Sequence, residues 1–150
     1  MAIVFLSDDP LQDVGELGAR LQDPERGALV TFSGTVRGST RGRRVTHLEY
    51  EAYRPLAEKQ LRAIAEEAGE RWGVTCAIAH RLGKVAVGER SITIAVASAH
   101  RAEAFEACRW LMDSLKTTVP IWKKEHFDGG AQWIEGSDTV PSPSSSTHNS

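Results

Sequence analysis

Residues 98–125 read SAHRAEAFEACRWLMDSLKTTVPIWKKE, and two periodicities meet inside them. Ala104, Phe105, Cys108, Leu111, Met112 and Leu115 fall at i, i+1, i+4, i+7, i+8 and i+11, which is one face of an amphipathic helix. Ser98 is the expected N-cap of that helix, and Pro120 ends it because it has no amide hydrogen to donate. Beyond the proline, Ile121 to Phe127 is expected to be extended. A helix that runs into a strand after an alternating run, Ile92, Ile94 and Val96, points to mixed helix and sheet.

The rest of the chain agrees with that reading. Asp9-Pro10 looks like a helix start, followed by Leu11, Val14, Leu17 and Leu21 at roughly helical spacing. Leu29 to Val36 and Val45 to Ala52 read as strands, separated by a basic segment that Gly38 and Gly42 mark as a mobile loop. From Pro55 the apolar period becomes helical through Ala57, Leu61, Ile64, Ala65 and Ala68, with Gly69 near the end. Val74 to Leu82 alternates as a strand, a turn is expected at Gly83 to Gly88, and Gln132 to Ile134 follows the turn Asp128-Gly129-Gly130. The order α-β-β-α-β-β-α-β-β predicts an α+β domain over 1–136, with 137–150 expected to be a disordered tail rich in serine and proline. No glycine-rich phosphate loop and no internal repeat is present.

Composition narrows the function classes. Eighteen Lys and Arg face 20 Asp and Glu, a net charge of −2, so nothing in bulk favours nucleic acid. The N-terminal apolar run is too short for a secretory signal, and no stretch approaches the ~20 apolar residues of a membrane helix. Cys76 and Cys108, with no C-x-x-C pair and no zinc-like spacing, fit two reduced core thiols in a cytoplasmic protein that needs no metal or cofactor. His80 beside Arg81 reads as a structural residue.

Cations nevertheless cluster. His100-Arg101 sits where the helix should begin, a place whose free amides and dipole already favour anions, so cations there are tolerable if an anionic ligand joins them. Solvated side chains beyond the cap explain the pair equally well. Lys116 in the last turn complements the dipole and by itself signals nothing more. In an extended segment Lys123 shares a face with Ile121 and Glu125, while Lys124 points away. Arg37, Arg41, Arg43 and Arg44 decorate the glycine-containing loop, with forks suited to phosphate or carboxylate. His100 and Lys116 are 16 positions apart on one helix, ~24 Å at the standard rise. One chain therefore cannot bring both to a small ligand; a second copy must supply one of them.

Five motifs occur in order: GTVR at 34–37, LEYEAY at 48–53, HRLGKVAVGE at 80–89, SAHRAEAFEA at 98–107 and LKTTVPIWKKE at 115–125. Over roughly residues 10 to 135 the chain resembles the large, catalytic subunits of molybdopterin synthase, the MoaE family. The resemblance implies an α/β hammerhead-type fold with an additional antiparallel β-sheet. It also implies a homodimer within a heterotetramer whose small ubiquitin-like subunits insert C-terminal Gly-Gly thiocarboxylates. The implied reaction, a sulfur transfer, places two sulfurs on cyclic pyranopterin monophosphate and makes the dithiolene of molybdopterin, for the molybdenum cofactor.

Carried across motif by motif, the resemblance assigns Thr35, Val36 and Arg37 to the substrate, and His100 and Arg101, from the neighbouring copy, to its phosphate. Lys116 and Lys123 would flank the reacting tail as catalytic residues, with Lys124 and Glu125 completing the wall. Lys116 is expected to be the main proton-transferring lysine, its ammonium form disfavoured by neighbouring cations and partial desolvation. The chain departs from the family pattern at Gly38-Ser39-Thr40, where Asn or Asp with His is usual, and at Gly136-Ser137, where an arginine sometimes stands. Without the resemblance, a non-catalytic anion-binding or adaptor domain would also fit the clustered cations. RNA binding lacks the expected aromatic pattern beside the basic residues.

Overall fold

The computed structural model describes residues 2–134. The expected tail at 137–150 lies outside the described residues. Among the described residues, two sheets and three helices make up the fold. In chain order these are β1 (Ala2–Ser7), α1 (Val14–Ala19), β2 (Ala28–Thr35), β3 (Ser39–Thr40), β4 (Arg43–Ala52) and α2 (Arg54–Trp72). They continue with β5 (Thr75–Arg81), β6 (Gly83–Ala86), β7 (Arg90–Ser98), α3 (Arg101–Thr118), β8 (Ile121–Phe127) and β9 (Gly130–Ile134).

The first sheet has the order β1-β5-β7-β2, parallel between β1 and β5 and antiparallel elsewhere. Its central strands β5 and β7 are buried on both faces, and side-chain size separates those faces. Cys76, Ile78, Ile94 and Val96 pack against α2 and α3, where Leu61, Ile64, Ala104 and Leu111 complete the main core. Ala77, Ala95 and Ala97 face the other way and leave room for Leu17 and Leu21 of the α1 segment. Alternation thus gives large side chains to the two long helices and small ones to the short helix.

The second sheet is wholly antiparallel, β3-β4-β8-β9, with β6 also paired to β4. This is the α+β architecture with an additional antiparallel sheet that the motifs imply. Leu48 pairs with Glu125, Tyr50 with Lys123 and Glu51 with Trp122 across β4 and β8. That register fixes which side chains of the PIWKKE segment share a face.

Several local expectations change. The apolar run at the N-terminus is β1, paired in parallel with β5, which periodicity alone did not reveal because only Val4 of its six residues is buried. The first helix starts at Val14, with Asp13 accepting from the Gly15 amide at 3.0 Å, so Asp9-Pro10 precedes it. The basic loop is a hairpin: Thr40 pairs with Arg43, and Arg41 (φ 52°) and Gly42 (φ 77°) close it. Positive φ at both central residues matches the right-handed twist of the strands, as in a two-residue turn. The expected turn at Gly83 to Gly88 contains β6. The second helix passes Gly69 and stops at Gly73, whose left-handed φ of 68° lets its amide reach the Gly69 carbonyl at 2.9 Å.

The third helix begins at Arg101 with His100 as its cap. Ser98 is no N-cap; it still ends β7, and its Oγ accepts from the His100 amide at 3.3 Å. At the far end Pro120 separates α3 from β8. The last helical turn and the third residue of the strand are therefore held on either side of one corner.

Candidate functional site

At that corner α3, β8, β4 and the C-terminal end of β2 enclose a cavity of about 530 Å³. Three cations line it, each from a different element or its end: Arg37 just beyond β2, Lys116 from the last turn of α3 and Lys123 from β8. Phe32, Met112, Leu115 and Ile121 supply apolar wall. Tyr50, His80 and Ser91 add neutral polar groups. Anions with a planar body fit such a lining, because apolar wall displaces water and strengthens attraction to the cations.

Lys123 is the lysine whose ammonium form the site disfavours. Burial lowers its pKa most, the positive charges of Lys116 and Arg37 lower it further, and Glu125 acts in the opposite sense. Desolvation of a lysine, the condition expected of Lys116, is thus met at Lys123, half-buried in the strand, while Lys116 is exposed at the helix end. An amine there can exchange protons closer to neutral pH than a free lysine.

His80 is a functional candidate that periodicity missed. It is 5% exposed, and its Nδ1 donates to the Arg81 carbonyl at 2.7 Å. Burial pushes its pKa down to about 4, the Arg81 hydrogen bond opposes that, and Lys123 lowers it further. Tyr50 meets the His80 ring edge-on, with centroids 5.0 Å apart, and Ser91 Oγ donates to the Gly34 carbonyl at 3.3 Å. The sequence signal was available: His80 ends an alternating strand in the same motif that carries Gly83, but alternation cannot tell a core histidine from one lining a cavity.

Of the other expected site residues, Thr35 lines the cavity. Val36 is buried in the small core of the second sheet, with its amide bonded to the Glu89 carbonyl and its own carbonyl accepting from Gly88. Lys124 turns to the opposite face, its Nζ 5.5 Å from the Trp133 ring centroid. Glu125 is buried, 3.8 Å from Arg43, and Arg43 itself stacks on Phe127 at 4.0 Å. Two of the remaining loop arginines, Arg41 and Arg44, are likewise not on the cavity lining. His100 and Arg101 line a separate hollow at the N-terminal end of α3, together with Ala28 at the start of β2 and Gly27 just before it.

Neither cysteine reaches the cavity. Both are buried, burial pushes both thiols up to about 11, and Cys76 Sγ donates to the Ala65 carbonyl at 3.5 Å. Such thiols stay protonated at neutral pH and are poor nucleophiles. The double replacement Cys76→Ala with Cys108→Ala is expected to lower stability by about 1–3 kcal/mol. Single-turnover chemistry in rapid-quench experiments should remain near wild type; its loss from a folded protein would mean that a chain thiol carries the sulfur.

Residues 6–118 match the family model described as MoaE protein. A molybdopterin synthase catalytic subunit from Arabidopsis thaliana is 49% identical over 116 residues, covering 77% of this chain and 59% of the relative. One from Bacillus subtilis is 47% identical over 116 residues, covering 77% of this chain and 74% of the relative. The chain thus spans less than two thirds of the plant relative's length. The crystal structure of molybdopterin synthase from Staphylococcus aureus superposes with a TM-score of 0.82 at 38% identity, over 85% of this chain and 93% of that one. A MoaE protein from Burkholderia ambifaria gives 0.76 at 38% identity, over 93% and 92%.

Proposed function

Because the chain belongs to the MoaE family, we propose that it acts as the catalytic subunit of a molybdopterin synthase. On this reading it is a transferase that moves sulfur from the thiocarboxylated Gly-Gly terminus of a small ubiquitin-like partner to cyclic pyranopterin monophosphate, opening the cyclic phosphate and making the dithiolene. The observation that carries it is the convergence of Arg37, Lys116 and Lys123 on one partly apolar cavity. Both reactants are anions; the cavity offers three cations, and burial keeps both cysteine thiols protonated at neutral pH.

Arg37 and Lys116 offset the charges of phosphate and thiocarboxylate, and Lys116 holds the entering tail. Lys123 moves protons, because burial gives its amine access to the neutral form. Its ammonium form then stabilises the oxyanion that develops on the leaving phosphate or on the tail carbonyl. Lys124 and Glu125 act indirectly, by holding β8 in register and by tempering Lys123.

The site is completed across a homodimer within a heterotetramer. Strand β2 is an edge of the first sheet, and its two ends border the two hollows, Ala28 at one and Thr35 at the other. Leu29 and Phe32 between them are exposed. A second copy set antiparallel along this edge brings its His100 and Arg101 towards the first copy's lysines. The two reduced thiols fit a cytoplasmic location.

Mixing the chain with a thiocarboxylated ubiquitin-like partner and the pterin precursor should yield dithiolene product, detected by mass spectrometry. Deleting the partner's terminal glycines should abolish transfer, and undiminished product without them would sink the donor assignment. An adaptor that merely binds anions would give no product in either case.

A further inference from the structure

We propose that His80 is a positioning residue for Lys123, its Nε2 lone pair holding the Lys123 amine in the cavity. The inference rests on the sulfur-transfer reading for its role in turnover, but its geometric content stands apart from that reading. A carbonyl only accepts, so the 2.7 Å contact with Arg81 places the proton on Nδ1 and leaves the lone pair on Nε2. The contact also fixes the ring, which Tyr50 braces edge-on at 5.0 Å. Nε2 is then the ring atom left to meet the cavity that His80 and Lys123 both line.

The backbone brings these side chains together. Tyr50 stands directly across from Lys123 between β4 and β8, and across from Gly83 between β4 and β6. His80 is the penultimate residue of β5, three residues before Gly83, so strand pairing delivers the imidazole to the same corner. Lys123 in turn is close enough to His80 to oppose its protonation. A protonated ring at this place would add a fourth positive charge beside Arg37, Lys116 and Lys123; a buried neutral ring offers an acceptor instead. A long lysine side chain has many rotamers, and one fixed acceptor selects among them.

Two substitutions separate the ring nitrogens. Asn reaches the Nδ1 position and can keep the bond to the Arg81 carbonyl, but it has nothing at Nε2. Gln extends an amide oxygen to the Nε2 position and gives up the Arg81 bond. With circular dichroism confirming the fold, His80→Asn should lower kcat about 10- to 100-fold with KM little changed, and His80→Gln should keep most of it. Acylation of Lys123 by a small amine-reactive ester, followed by peptide mass spectrometry, should likewise change several-fold in Asn and little in Gln. Asn equal to or better than Gln in both measurements overturns the proposal, since the Arg81 bond would then be the part that matters. The wild-type protein gives a check that needs no variant: 15N spectra of histidine-labelled protein should show His80 neutral with the proton on Nδ1. A proton on Nε2 would overturn it as well. If wild type makes no dithiolene at all, the sulfur-transfer reading fails, while the acylation and 15N results still decide the placement of His80.

Discussion

Lys123→Met is expected to leave a folded protein whose turnover falls by a factor on the order of 100 to 10,000, the range that general acid–base groups contribute. Methionine keeps the length and the apolar stem of lysine but carries neither charge nor proton. Lys123→Arg should separate these two properties, because guanidinium keeps the charge and does not deprotonate in this range. It should bind substrate with a KM near wild type and still lose kcat. For wild type, kcat should rise with pH along a limb displaced below the ordinary lysine value of 10.5, and that limb should vanish in Lys123→Arg.

The same burial has a consequence for stability, with a definite sign. The folded pKa of Lys123 lies below the unfolded value, so between the two the unfolded chain holds more protons and stability rises with pH. Below that window the buried ammonium opposes folding. Lys123→Met removes the charge, so its Tm at pH 7 should equal or exceed that of wild type, and the alkaline rise in stability should flatten. A lowered Tm would show that Lys123 is held for structure.

Mixing two inactive variants should restore activity. Lys116→Ala is expected to be nearly inactive, and His100→Ala with Arg101→Ala to use substrate poorly, because the two sets of side chains line hollows at opposite ends of α3. The 16 positions from His100 to Lys116 span ~24 Å of helix, too far for one small substrate. In a mixed dimer, one site takes wild-type Lys116 from one chain and wild-type His100 and Arg101 from the other, while the companion site carries both defects. Random exchange of equal amounts makes about half the dimers mixed, and one of the two sites in each mixed dimer is intact, so about a quarter of all sites recover. Exchange verified by native mass spectrometry with activity still at the variant baseline would falsify the shared site.

The covalent sequence determined the helices and most of the strands because each carries its own period. Leu111 and Leu115 at helical spacing, and Ile92, Ile94 and Val96 in alternation, mark the faces that become the core. It also determined that His100 and Lys116 cannot meet within one chain, since helix rise alone fixes that distance, and that Lys123 and Lys124 face opposite ways, since strand alternation does. Motifs tied to a family suggested the proposed reaction, which no periodicity could. Tertiary structure decided the rest. Strand β1 exists because β5 offers it a parallel edge, a pairing between residues more than 70 positions apart that no local pattern encodes. The side chain of Lys123 is desolvated because β4 and β8 close around it, and a pKa depends on what surrounds the group more than on its neighbours in sequence. His80 reads as core in the chain and becomes part of the cavity only when β5, β6 and β4 bring it beside Tyr50, because exposure on one side of a buried ring is a property of packing.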